Sequence, residues 1–163
     1  MYPAWGRWKP GHRLERDRRL GPALERFRAL GAKADRSTAE QRELDLLRLA
    51  TDHPDPVRGR ERATLFLDRG FAIDRVCSAL LDRELEALDP DEQARRCARL
   101  DLPVLIIDSD ADPRPRAAMD GLAAALPRVR RSTIRGAGHF PWLDDPDGVR
   151  SAVGAWLRGL RLG

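Results

Sequence analysis

Residues 102–113 read Leu-Pro-Val-Leu-Ile-Ile-Asp-Ser-Asp-Ala-Asp-Pro, and this stretch decides the fold class. Its first six residues form an unbroken apolar run with β-branched side chains at three positions, which is typical of a strand buried on both faces. The cluster of acids and proline that follows ends the strand in a loop. Because strands buried on both faces belong to parallel sheets, the stretch predicts an α/β protein.

The sequence after this strand alternates between helical and strand patterns. Residues 116–126 have a helical pattern that Pro127 ends, residues 129–134 form a second strand candidate, and Gly-Ala-Gly at 136–138 makes a turn. Asp-Pro-Asp at 145–147 then introduces a last helix with apolar residues at helical spacing. The order strand, helix, strand, helix predicts a βαβ unit, in which the crossover makes the two strands parallel.

The first ninety residues contain no strand pattern and read as consecutive helices. The predicted spans are 12–30, a second helix opening at Ser37, then 57–68, 74–88 and 90–100, with Gly21-Pro22 as a candidate break in the first. Ser37 followed three residues later by Glu40 is a capping-box pattern, which marks the start of the second helix. The chain is therefore expected to place a helical region before the βαβ unit.

Two residues that follow the predicted strands have the chemistry of an acid–base pair. Asp112 follows the first strand and His139 follows the second. Because α/β folds place active sites at the carboxyl ends of parallel strands, a carboxylate and an imidazole in these positions can meet above the sheet. The acid would orient the ring and His139 would act as a general base. The alternative is that His139 is an ordinary residue of a glycine-rich loop.

This half of the chain resembles the C-terminal part of the α/β-hydrolase family. Residues 103–112 resemble the strand and acid loop of that family, and residues 136–146, Gly-Ala-Gly-His-Phe-Pro-Trp-Leu-Asp-Asp-Pro, resemble its catalytic-histidine loop. The resemblance implies that Asp112 is the triad acid and His139 the triad base. It covers about residues 90–160, with one departure at Ser109, where the family usually has glycine.

The resemblance also implies a division of the chain. Residues 10–88 are more loosely similar to the helical cap that this family inserts before its last strands, most of all in members similar to proline iminopeptidases. The implied organisation is a cap-like region at 1–89 and a core segment at 90–163, which together make a partial α/β-hydrolase fold. The implied activity is cleavage of an ester, amide or peptide bond without a cofactor.

The nucleophile of such an enzyme is missing from the sequence. The family presents its serine in a G-x-S-x-G elbow before the cap, and none of the five serines here has glycines in that pattern. They are Ser37, Ser78, Ser109, Ser132 and Ser151. The segment for an oxyanion hole and most of the strands are also absent. The sequence therefore predicts that the chain supplies the acid and base of a triad, with the serine elsewhere.

The predicted two-stranded sheet leaves one edge of the first strand unpaired. An apolar strand edge promotes association, so we expect it to be covered. One candidate partner is a chain carrying the G-x-S-x-G half, and another is a second copy in a homodimer with a continuous sheet. The competing function is a non-catalytic truncated hydrolase homologue that acts as a binding or oligomerisation module.

Composition and charge exclude several other classes. The longest apolar runs are far too short to span a bilayer, and the N-terminus lacks a signal-peptide pattern, so a cytoplasmic location is expected. Two cysteines, Cys77 and Cys97, cannot form a disulfide framework or a CxxC zinc site and are expected to be buried thiols. The formal net charge is +4 with acids interspersed among the arginines, which disfavours nucleic-acid binding.

Other residues carry weaker predictions. Trp5, Trp8 and Trp142 are candidate substrate-binding residues, but packing is favoured for all three: Trp5 and Trp8 as anchors of the N-terminus, and Trp142 beneath the histidine loop. Trp156 is expected in the core, on the apolar face of the last helix. Asp144 and Asp145 are expected to cap the last helix. Asp108 and Asp110 are interpreted as loop residues rather than metal ligands, and no catalytic or ligand-binding role is assigned to His12 or His53.

Overall fold

The computed structural model describes residues 8–72 and 74–160. Over these residues the protein is a mixed α/β structure, mostly helical, with one short parallel sheet of two strands. The helices are α1 (Lys9–Leu20), α2 (Leu24–Ala32), α3 (Thr38–Ala50), α4 (Pro56–Asp68), α5 (Arg75–Ala87), α6 (Pro90–Ala98), α7 (Ala117–Ala125), α8 (Pro141–Asp144) and α9 (Pro146–Gly159). The strands are β1 (Val104–Ser109) and β2 (Val129–Ile134).

Local sequence signals set most helix starts. The capping box at α3 is confirmed, since Ser37 Oγ accepts from Glu40 N at 3.2 Å and Ser37 N donates to Glu40 Oε2 at 2.9 Å. Aspartates in the capping position precede α4, α5, α6 and α9. Gly21-Pro22 interrupts the first predicted helix with a 3₁₀ turn, and Gly21 there has φ 51°, a value that favours glycine.

The principal apolar cluster lies in the helical region. It joins the end of α1 to α2 and α3, and Leu30 and Leu44 are each only 1% exposed within it. Helix α4 packs along α3. The short link between these two helices, residues 51–55, contacts the loop after β2, since Asp52 O accepts from His139 N at 2.8 Å.

The sheet has the predicted parallel topology. Strands β1 and β2 pair in register from Val104 opposite Val129 to Ser109 opposite Ile134, and α7 forms the crossover between them. Within the described residues, no strand pairs with the other edge of β1. Because β1 has a neighbouring strand on one side only, it is less buried than its sequence predicts. Ile106 and Ser109 are buried, and the rest of the strand is half-buried.

Three burial predictions are wrong. Cys77 is exposed and Cys97 is half-buried, because both lie on helix surfaces that the described residues leave uncovered. Trp156 is half-buried rather than part of the core, because the two-stranded sheet is too narrow to enclose α9. Among the described helices, none has the length and apolar character needed to cross a membrane.

Candidate active site

Asp112 and His139 meet at the carboxyl end of the sheet. Asp112 Oδ2 lies 2.8 Å from His139 Nδ1, and the two side chains are partly exposed, at 22% and 33%. Asp112 is three residues beyond β1, and His139 is five residues beyond β2. Because Nδ1 faces the carboxylate, Nε2 is the ring nitrogen that remains for proton transfer, as in a catalytic acid–base pair.

Three hydrogen bonds join the acid loop to the histidine loop. The Asp110 carboxylate accepts from Gly136 N at 2.6 Å, and Ala111 N donates to Ala137 O at 3.2 Å. The buried Ser109 hydroxyl donates to Gly138 O. Ser109, the last residue of β1, thus links the start of the acid loop to the histidine loop.

The surroundings of Asp112 favour its charged form. Arg114 N donates to Asp112 Oδ1 at 2.8 Å, and Arg114 Nη1 lies 3.3 Å from the same oxygen. Burial raises the pKa of Asp112, but the hydrogen bond to His139 and the nearby charges of His139 and Arg114 outweigh it and hold the pKa below its usual value. Asp112 is therefore ionised near neutral pH and suited to stabilising an imidazolium.

The turn after α3 contributes contacts that the sequence did not reveal. His139 N donates to Asp52 O at 2.8 Å, and Asp52 Oδ1 lies 2.9 Å from Arg114 Nη1. The close approach requires Gly138, since a Cβ there would lie 2.1 Å from Asp52 O. Residues 52–56 carry two prolines between predicted helices and no motif that points to this role.

A nearly buried arginine strengthens the same junction. The side chain of Arg19, 9% exposed, donates to Thr51 O at 2.9 Å and to Ala111 O at 2.8 Å. One guanidinium group therefore joins α1 to the turn after α3 and to the acid loop. The helical region is part of the framework of the Asp112–His139 pair.

A cleft of about 510 Å³ opens beside this pair. It has aromatic and aliphatic walls with charged groups at one side, formed by Trp8, Ile107, Pro115, Met119, Pro141 and Trp142 together with Asp108, Ser109, Asp112, Arg114, Arg116 and His139. Trp142 packs edge-on against Phe140 of the histidine loop, with ring centroids 5.6 Å apart, but at 55% exposed it is not buried beneath that loop. Trp8 also lines the cleft, whereas Trp5 lies outside the described residues.

The neighbouring acids have separate structural roles. Asp108 lies in β1 rather than in the loop where it was expected, accepts from Thr133 Oγ1 at 2.7 Å and pairs with Arg131. Asp110 lies in the loop and accepts from Gly136 N. Asp145 caps α9 by accepting from Gly148 N at 2.9 Å, as expected. The same expectation for Asp144 is wrong, since its Oδ2 accepts from Gly138 N at 2.6 Å. In the described part of the chain, no three His, Cys, Asp or Glu side chains group as metal ligands.

No serine of the described residues stands at a strand-to-helix elbow. Ser37 caps α3, Ser78 and Ser151 lie on exposed helix surfaces, and Ser132 lies within β2. Ser109 borders the cleft, but it is 3% exposed and its hydroxyl donates to Gly138 O. The described residues place a carboxylate, an imidazole and a cleft together; acyl transfer at such a pair would require a nucleophile from outside these residues.

Comparison with known proteins gives no relative: no protein-family model matches the chain, and no curated protein matches it. The functional argument therefore depends on the geometry of this site.

Proposed function

We propose that this chain supplies the acid and base of a Ser-His-Asp hydrolase site of the α/β-hydrolase type, with the nucleophilic serine outside these 163 residues. The observation that carries the proposal is the 2.8 Å contact between Asp112 Oδ2 and His139 Nδ1 at the carboxyl end of a parallel sheet. In this geometry an ionised carboxylate orients the imidazole and fixes the ring proton on Nδ1.

The proposed reaction divides the chemistry between the two residues. His139 Nε2 accepts the serine proton as the hydroxyl attacks the carbonyl carbon of an ester or amide, and the resulting imidazolium donates that proton to the leaving group. Asp112 stays ionised and stabilises the imidazolium throughout. Water then repeats the same proton transfers to release the acyl group, and no cofactor enters the sequence of steps.

The cleft favours a substrate with an apolar group beside the bond that is cleaved. Trp8 and Trp142 provide aromatic surface on its walls, and Ile107 and Met119 provide aliphatic surface. A small ester or a short peptide with an apolar side chain matches this lining. Since Trp8 immediately precedes α1, the cap-like helical region contributes to substrate selection as well as to the framework.

The edge of β1 opposite β2 is the place where a serine-bearing partner would join. The cleft beside His139 is bordered by Ile107 and Ser109 of this strand, and no strand of the described residues pairs with that edge. A partner strand paired there would extend the sheet next to the acid–base pair. A second copy of this chain would also pair with the edge, but it would bring no G-x-S-x-G elbow.

That unpaired edge also favours the second candidate function, a non-catalytic binding or oligomerisation module. In that case the Asp112–His139 contact would serve only to hold the two loops together.

Labelling with a fluorophosphonate, which reacts with activated serines, separates the two functions. The chain is purified alone and after co-expression with the sequence encoded upstream, each as wild type, His139→Gln and, as an exposed-surface control, Asp147→Asn. The proposal expects labelling only with the upstream sequence, loss in His139→Gln and no change in Asp147→Asn. A folded preparation that is never labelled favours the binding module.

A further inference from the structure

Asp144 lies at the centre of a buried cluster that joins the histidine loop to α4. Its side chain is only 8% exposed, and its Oδ2 accepts from Gly138 N at 2.6 Å, one residue before His139. An ionised carboxylate that accepts a backbone N–H forms a strong, charge-assisted hydrogen bond. The carboxylate is thus attached directly to the backbone that carries the imidazole.

Arg62 of α4 holds Asp144 from the other side. Its Nη1 lies 2.5 Å from Asp144 Oδ1, and its Nη2 donates to Leu143 O at 2.7 Å. The two terminal nitrogens of the guanidinium, Nη1 and Nη2, therefore both contact residues at the end of the histidine loop. Burial of the Asp144 charge is therefore compensated by a positive charge from the helical region.

His53 completes the cluster. Asp55 N donates to His53 Nδ1 at 2.9 Å, and the same nitrogen lies 3.1 Å from Asp55 O. His53 Nε2 is 3.4 Å from Asp144 Oδ1. The turn after α3 thus contributes both a ring facing Asp144 and, at Asp52, the carbonyl that accepts from His139 N.

We propose that Asp144 is a positioning residue that keeps His139 in contact with Asp112. Two successive backbone N–H groups, those of Gly138 and His139, are anchored on Asp144 Oδ2 and Asp52 O. These bonds fix the point from which the imidazole extends. This inference rests on the proposed function, since it gives His139 the role of the base, but its test needs no activity.

The test is a nuclear magnetic resonance measurement of the His139 Nδ1 proton in the full chain. A ring proton bonded to a carboxylate resonates far downfield of the amide region and exchanges slowly with water. Asp144→Ala removes the acceptor for Gly138 N–H, and Arg62→Gln removes the positive charge that anchors Asp144. Asp147→Asn is the matched control, because Asp147, on the first turn of α9, is 84% exposed and its ion pair is with the exposed Arg150 of the same helix.

In Asp144→Ala we expect the exchange rate of this proton to be at least about ten times that in wild type or Asp147→Asn. A change of this size matches the loss of one hydrogen bond to a charged group. The amides of Leu30 and Leu44 in the helical core should keep their wild-type rates. Unchanged exchange of the Nδ1 proton overturns the proposal, and so does equal acceleration of the core amides, which indicates general destabilisation. If Asp144→Ala does not fold, Arg62→Gln decides by the same criteria.

The result is independent of the labelling experiment. A faster Nδ1 exchange together with no fluorophosphonate labelling would remove the hydrolase proposal and keep the structural role of Asp144. Labelling together with unchanged exchange would keep the hydrolase proposal and remove the positioning role.

Discussion

His12 is expected to make the folded chain lose stability as the pH falls from 6.5 towards 4. The ring lies on α1, half-buried, with its centroid 5.2 Å from that of Trp8. Burial first, and the positive charge of Arg114 second, lower the pKa of His12 to about 4 from its ordinary value of 6.5. Arg16 acts in the same direction, and the two acids nearby, Asp52 and Asp112, only partly oppose these effects.

The sign follows from counting protons. Between pH 6.5 and about 4 the unfolded chain binds a proton at His12 and the folded chain does not, so the free energy of unfolding falls as the pH falls. The difference of about 2.5 pKa units corresponds to roughly 3.5 kcal/mol at about 1.4 kcal/mol per unit. Because the ring is only half-buried, solvent screening reduces the expected loss to about 2 kcal/mol.

Urea unfolding of wild type, His12→Gln and Arg13→Gln at pH 7, 6, 5 and 4 measures this effect. Arg13 is the neighbouring exposed position on α1, and its replacement removes no group that titrates in this range. Carboxylate contributions are common to all three proteins and cancel. Over the full interval from pH 6.5 to 4, wild type and Arg13→Gln should lose about 2 kcal/mol more than His12→Gln. Parallel curves for all three would refute the reasoning.

Three further outcomes are expected. Leu30→Ala, at a position 1% exposed, should cost about 2–5 kcal/mol in urea unfolding, whereas Leu14→Ala, at 76% exposed, should change stability by less than about 0.5 kcal/mol. Gly138→Ala places a Cβ against the backbone carbonyl of the turn after α3, so the amide resonances of the histidine loop should shift while those of α2 do not. Arg114→Gln removes a positive charge near Asp112 and should raise the pKa of that carboxyl, as followed by its carbon resonance; an unchanged titration would contradict this.

The secondary structure could be predicted largely because its signals are local. Ser37 and Glu40 contact each other across one helical turn, so their spacing in the sequence already specifies the capping box. The residues predicted for β2, 129–134, are those observed, since Pro127 and the glycines at 136 and 138 bound the run on both sides. The predicted contact between Asp112 and His139 needed only the rule that parallel strands end at one edge of a sheet.

The residues that hold the site in place could not be predicted in this way. The contact of Arg114 with Asp52 spans 62 residues, and that of Arg19 with Ala111 spans 92. Such contacts depend on how the helical region packs against the loops, and the periodicity of the sequence does not indicate this packing. Cys77 shows the same limit, because the exposure of a helix face depends on whether another element packs against it.

The most direct test of the central claim is to locate the fluorophosphonate adduct by peptide mass spectrometry. The sample is the chain purified together with the polypeptides that accompany it from its own cells, beside a His139→Gln preparation. The account predicts an adduct on a serine outside these 163 residues, within a G-x-S-x-G sequence, that is lost in His139→Gln. An adduct on one of the five serines of this chain, or an adduct that persists in His139→Gln, would contradict it.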